Sequence, residues 1–201
     1  MELDKKNYDK KVYAQIESFF IKGELSTNQV YPDLDYKFNF KKLKSAKETN
    51  LMSFTPYLKN CHFLIDNITL ELLKPFSIQG YKAYEVSVSD PSTQNLNSSY
   101  RLFYSVLQDW NVIDFEKTLF TSGGFGNNPI IEHKFKDENE MKAFKGIPKV
   151  KILALQKHFD KTLDFFHTRL GGLFVSEKLK LELEEKKITG VLFNNEVEVL
   201  I

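Results

Sequence analysis

The chain has 201 residues, 42% hydrophobic and 27% charged, enough for one generous domain with a real core. A formal charge of +1 gives no global pull toward nucleic acid or an anionic membrane. Cys61 is the only cysteine, so no intrachain disulfide can form, and no apolar run approaches the roughly 20 residues of a membrane helix.

Residues 1–11, MELDKKNYDKK, read as a polar lead-in without the apolar stretch of a secretory signal, so a cytoplasmic protein is expected. Residues 12–21 fit both a strand alternation and a helix face. Gly23, Asn28, Pro32 and Asp33 make the next segment turn-rich. Tyr36, Phe38 and Phe40 alternate with Lys37, Asn39 and Lys41, which predicts a half-buried strand. Residues 61–73 fit a strand pair or a helix capped near Asp66, closed by Pro75. Residues 81–89 alternate again, with Lys82, Tyr84, Val86 and Val88 as the inward set. A loop over 89–99 separates this strand from two more, over 100–107 and 110–115.

Residues 121–129, TSGGFGNNP, read as a surface loop, 130–135 as a short strand and 137–145 as a short helix capped by Asp137. Over 150–170 two patterns compete. Ile152, Leu155, Phe159, Leu163, Phe166 and Leu170 recur at helical spacing, whereas Val150, Ile152 and Ala154 alternate as in a strand. Residues 173–193, LFVSEKLKLELEEKKITGVLF, read as strand, cap, helix, stop and strand. Ser176 is the N-cap, Glu177 and Lys186 suit the two ends of the helix dipole, Leu179 and Leu183 form the apolar stripe, and Gly190 supplies the left-handed stop. The expected architecture is a single α+β domain over residues 1–201. It has a mainly antiparallel or mixed sheet, few helices and a C-terminal strand–helix–strand, the clearest helix lying at about 177–187.

Three segments share a pattern: YRLFYSVLQDWNVIDFEKT at 100–118, closed by Asp114; LDFFHT at 163–168; and the final run with Ser176, Leu179, Ile188, Gly190 and Phe193. In order and spacing they resemble the bacterial immunity proteins of polymorphic toxin systems, in particular immunity family eleven. The resemblance covers residues 100–201. It implies strand, loop and strand over 150–170, and a non-enzymatic cytoplasmic protein that binds and blocks a cognate toxin, with no cofactor. Asp114, Ser176, Leu179 and Gly190 are scaffold positions in that pattern, and none is catalytic.

Other chemistry is conceivable from the residues. If 150–170 were one helix, Asp160, Asp164 and His167 would share a face beside His158, a donor set for a metal-dependent hydrolase; a solvated helix face is the plainer account. Cys61 beside His62 suggests a thiol nucleophile, but neighbours on a strand point to opposite faces. The glycines 123, 124 and 126 lack the lysine and hydroxyl of a phosphate loop, so a surface loop with Phe125 at its tip is expected. Lys37, Lys41, Lys42, Lys44 and Lys47 form the one basic run. With Arg101 and Arg169 the only arginines, a base-reading surface is not expected. Trp110 and Phe125 are the candidate contacts for a protein partner.

Overall fold

The structure, a computed structural model, describes residues 1–22, 33–124, 129–170 and 172–201. Among these are thirteen strands and four α-helices, so the protein is α+β with mixed and antiparallel sheets and few helices. In chain order they are β1 (Glu2–Leu3), α1 (Lys10–Ile16), β2 (Phe38–Lys41), β3 (Leu51–Met52), β4 (Cys61–Asp66), α2 (Asn67–Leu73), β5 (Tyr81–Ser89), β6 (Leu96–Asn97) and β7 (Tyr100–Ser105). There follow β8 (Leu119–Ser122), β9 (Ile131–His133), α3 (Glu138–Ala143), β10 (Lys149–Ala154), β11 (Phe165–His167), β12 (Leu173–Val175), α4 (Glu177–Glu185) and β13 (Glu198–Leu200). By its contacts the chain forms two compact units: Met1–Leu107, Leu163–His167 and Leu173–Val191 make one, and Gln108–Thr162, Thr168–Gly172 and Leu192–Ile201 make the other. No helix among the described residues is long and apolar enough to cross a membrane.

The first unit is built on a sheet ordered β1-β2-β5-β7-β4-β3, with β6 on β5. Only β2 and β5 run parallel; the other pairs are antiparallel. One face carries Phe38 and Phe40 from β2, Tyr84, Val86 and Val88 from β5, Leu102 and Tyr104 from β7, and Leu64 from β4. Ile16 of α1 and Phe20 of the π-helical turn that extends it, Glu17–Lys22, cover this face. Phe20 meets Phe38, Tyr84 and Tyr104 edge-on at 5.3, 5.9 and 6.1 Å, a geometry aromatic rings prefer. Full burial of such a ring stabilises by about 2–3 kcal/mol.

The second face of the same sheet is also used. Phe63, Phe103 and Tyr81 stack across β4, β7 and β5 at 5.1 Å each. The β11–β12 hairpin reaches this face, with Phe165 edge-on to Phe103 at 5.5 Å.

The lead-in expectation is corrected: Met1 and Leu3 are buried, and β1 pairs with β2. Apolar residues at 1 and 3 are the inward pair of a short strand, too brief to stand out among lysines and aspartates. Residues 61–73 use both options, strand β4 and then α2, whose N-cap is Asp66 accepting from Thr69 N–H.

The second unit has a four-stranded sheet ordered β13-β10-β8-β9, with β10 and β13 parallel. Phe120 lies at its centre, fully buried, 5.0 Å from Phe135 and 6.4 Å from Phe115. Residues 110–115 are not the expected strand: a 3₁₀ turn spans Trp110–Val112, and Ile113 makes a lone bridge to Leu155. The competing patterns over 150–170 resolve as β10, a loop and β11. The helical spacing there arises because separate turns and strands each bury an apolar residue.

Candidate functional site

The expected scaffold positions hold structure. Asp114 closes a turn, accepting from Lys117 N–H at 3.3 Å and pairing with its Nζ at 2.8 Å. That hydrogen bond, which outweighs the opposing effect of desolvation, holds the Asp114 carboxyl below its ordinary pKa. Ser176 caps α4 by accepting from Leu179 N–H at 3.1 Å, and Leu179 is fully buried. Gly190 is left-handed, at φ +87°, but it does not end the helix. Lys187 does, at φ 54°, with Ile188 N–H on Leu183 O at 2.9 Å and Lys187 N–H on Glu184 O at 3.0 Å. The strand after the helix does not begin at 191–193 as expected; it is β13, at Glu198–Leu200. Thr189 bonds instead to the Asn50 side chain and Leu51 N–H, and Leu192 is exposed.

The helix that would have put Asp160, Asp164 and His167 on one face does not form. Asp160 is exposed and accepts from Thr162 N–H and Oγ1. Asp164 Oδ1 accepts from Ser176 Oγ at 2.7 Å and Oδ2 from Ser77 N–H at 3.0 Å. Burial pushes the Asp164 pKa up, but those bonds and Lys178 more than offset it, and the net shift is downward. His158 is exposed. Among the described residues no group of three His, Cys, Asp or Glu side chains is placed to hold a metal ion.

Cys61 faces the aromatic core and His62 the opposite face, and burial pushes the Cys61 thiol well up, away from the reactive thiolate. Lys37 pairs with Glu85 at 2.6 Å, and Lys42 with Asp90 at 3.1 Å and Glu48 at 3.2 Å, so the basic run is partly neutralised by acidic neighbours. A cleft of about 720 Å³ includes Lys42, Glu48, Asp90, Thr93, Asn95 and Ser98 in its lining, and its ammonium and both carboxylates already bind one another. Trp110 is half-buried, with Lys142 Nζ 5.2 Å over its ring and Phe115 at 6.1 Å. Phe125 lies outside the described residues.

Two features stand apart. The first is a largely buried polar cluster, with His62 partly exposed. A β-bulge between Cys61 and Phe63 makes His62 the extra residue of β4. His62 Nε2 lies 2.7 Å from Ser105 Oγ, and its ring meets that of His167 edge-on, centroids 4.5 Å apart. The backbone N–H of His167 donates to Gln79 Oε1 at 2.7 Å, and Gln79 Nε2 donates to Val106 O. His167 Nδ1 is buried with no hydrogen-bond partner among the described residues. Burial, with the neighbouring ring of His167 as a second cause, holds the His62 pKa down to about 3; burial holds that of His167 to about 4. Both rings are neutral at pH 7. Sequence reasoning singled out both histidines but not their meeting, which depends on a bulge and a hairpin far apart in the chain.

The second feature is the outer edge of β9, the last strand of its sheet. Ile130 is 70% exposed and Ile131 53%, beside Glu132, whose carboxylate pairs with Lys151 at 2.7 Å. Neither a scan against protein-family models nor a search of curated proteins returns a match for this chain.

Proposed function

We propose that the protein is a non-enzymatic inhibitor, a cytoplasmic immunity protein that sequesters a cognate bacterial toxin. The sequence pattern at 100–118, 163–168 and 173–193 supports this reading. The observation that carries it is the β9 edge. A terminal strand offers unpaired backbone N–H and C=O groups, and soluble proteins ordinarily guard such edges with charge or proline. Here the strand is short, with Pro129 before it and Glu132 on it, yet isoleucines also stand on it and just before it, Ile131 and Ile130, both exposed. An extended segment of a partner would add to the sheet here, with main-chain hydrogen bonds giving affinity and the isoleucines a side-chain contact. Lys134 and Lys136 follow the strand, so acidic residues on the partner would complete the match.

Co-expression with the product of the neighbouring toxin gene tests the proposal. A stable complex and protection from killing are expected, and the absence of both overturns it. Ile131→Lys places a charge on the edge and is expected to weaken the complex at least tenfold, while the thermal midpoint of the free protein stays within a few degrees. An unchanged affinity would exclude β9 as the surface.

A further inference from the structure

The His62–His167 contact lies where the β11–β12 hairpin meets the second face of the first unit's sheet. The hairpin is three residues on each side, and two strands of this size are marginal without further support. Its support is specific. Phe165 packs on Phe103, Gln79 N–H donates to Phe165 O at 2.9 Å, Asp164 N–H donates to Ser77 O at 2.6 Å, and Gln79 Oε1 accepts from His167 N–H. The His167 ring sits on that of His62.

The neighbours of the pair are neutral where they touch it. From β7 comes the Ser105 hydroxyl, and from the segment before β5 the Gln79 amide. On β4, Cys61 turns to the opposite face, as does Tyr104 on β7; Arg101 bonds to Ser98 O and Tyr100 O, and Asp66 caps α2. On the hairpin itself, Asp164 is held by Ser77 and Ser176 with Lys178 at 3.9 Å. Among the described residues no carboxylate hydrogen-bonds or pairs with either ring.

We propose that this histidine pair is an acid-released latch, keeping the β11–β12 hairpin on the sheet while both rings are neutral and freeing it when either takes a proton. A charged His62 would have the Ser105 oxygen at Nε2 against the desolvation of its ring, and a charged His167 would have no partner among the described residues at its buried Nδ1. Two cations 4.5 Å apart in a low-dielectric site are worse still. The released hairpin has ordinary solvated histidines, which take up protons near pH 6.5. Protons therefore bind the open form first, and acid shifts the equilibrium toward it. The hairpin is the element that gives way, because β4 is paired on both sides within the sheet. The latch is independent of the proposed inhibitor role.

Hydrogen exchange of the backbone amides of residues 165–167 and 173–175, corrected for intrinsic rates, tests it at pH 7, 6 and 5. From pH 6 to 5 the open population is expected to rise about tenfold for one proton taken up, and toward a hundredfold for two. Amides of the β5–β7 ladder should hold their protection. In His62→Gln/His167→Gln the rise is expected to vanish. A pH-independent hairpin, or an equal rise in the double variant, overturns the proposal. Should that variant fail to fold, the histidine ring resonances of the unsubstituted protein decide. Both rings are expected to remain neutral at pH 5, and either one titrating near 6.5 overturns it.

Discussion

Lys187 and Gly190 both have left-handed backbones three residues apart, for different reasons. Lys187 ends α4: its conformation turns Ile188 N–H back onto Leu183 O. A side chain there is strained by roughly 1 kcal/mol, which glycine would relieve. Gly190 lies beneath the Leu51 carbonyl, and a Cβ would stand 1.8 Å from that oxygen. The two positions therefore predict opposite signs. Lys187→Gly should raise stability by about 0.5–1 kcal/mol, and Gly190→Ala should lower it by at least ~2 kcal/mol, both read from urea denaturation. Asp164 adds a pH-dependent case. Its two oxygens accept from Ser176 and Ser77, and an asparagine would turn an amide N–H toward one of those donors. Asp164→Asn should lose about 1–3 kcal/mol at pH 7. The folded Asp164 pKa lies below the ordinary value, so its contribution is complete above the ordinary carboxylate range and is lost as pH falls through the folded value. The gap between the two proteins should accordingly narrow as the pH falls below the ordinary carboxylate range.

At the scale of elements, legibility followed the length of the periodic pattern and its caps. The strands at β2, β5 and β7 show in their alternation, and the Asp137 and Ser176 caps place α3 and α4. β1 is legible only through its partner β2, since two residues carry no period. Residues 110–115 have strand composition, yet the Asp114 carboxylate accepts from Lys117 N–H and its carbonyl from Lys117 and Thr118 N–H, which makes a turn. Local side-chain bonding there prevails over apolar composition. Residues 191–193 look like a strand, but Thr189 is held by the Asn50 side chain and by Leu51 N–H, so the chain leaves in another direction. The histidine cluster had no local signature at all. Alternation puts His62 opposite Cys61, but its meeting with Ser105 of β7 and His167 of β11 comes from strand pairing far along the chain, and nothing in CHFLID marks that or the register shift before Phe63.

For the molecule as a whole, the two compact units have separate cores, one around Phe20, Phe38 and Leu102 and one around Phe120, Phe135 and Leu153. The chain leaves the first unit after Leu107 and returns to it at Leu163, so the second is largely an insertion between β7 and β11. Units with their own buried clusters open with their own free energies, and a core truncation should report which residues share one cooperative transition. Phe120→Ala removes a fully buried ring in contact with Phe115 and Phe135 and should destabilise its unit by about 3–5 kcal/mol. Native-state hydrogen exchange is the measurement. Amides of β8 and β10 should lose protection by at least a hundredfold, while those of β4, β5 and β7 change by less than tenfold. Leu102→Ala should give the reverse pattern, since Leu102 is fully buried in the first core. If either substitution lowers protection equally in both sets of strands, the two cores unfold as one, and stability belongs to the whole chain.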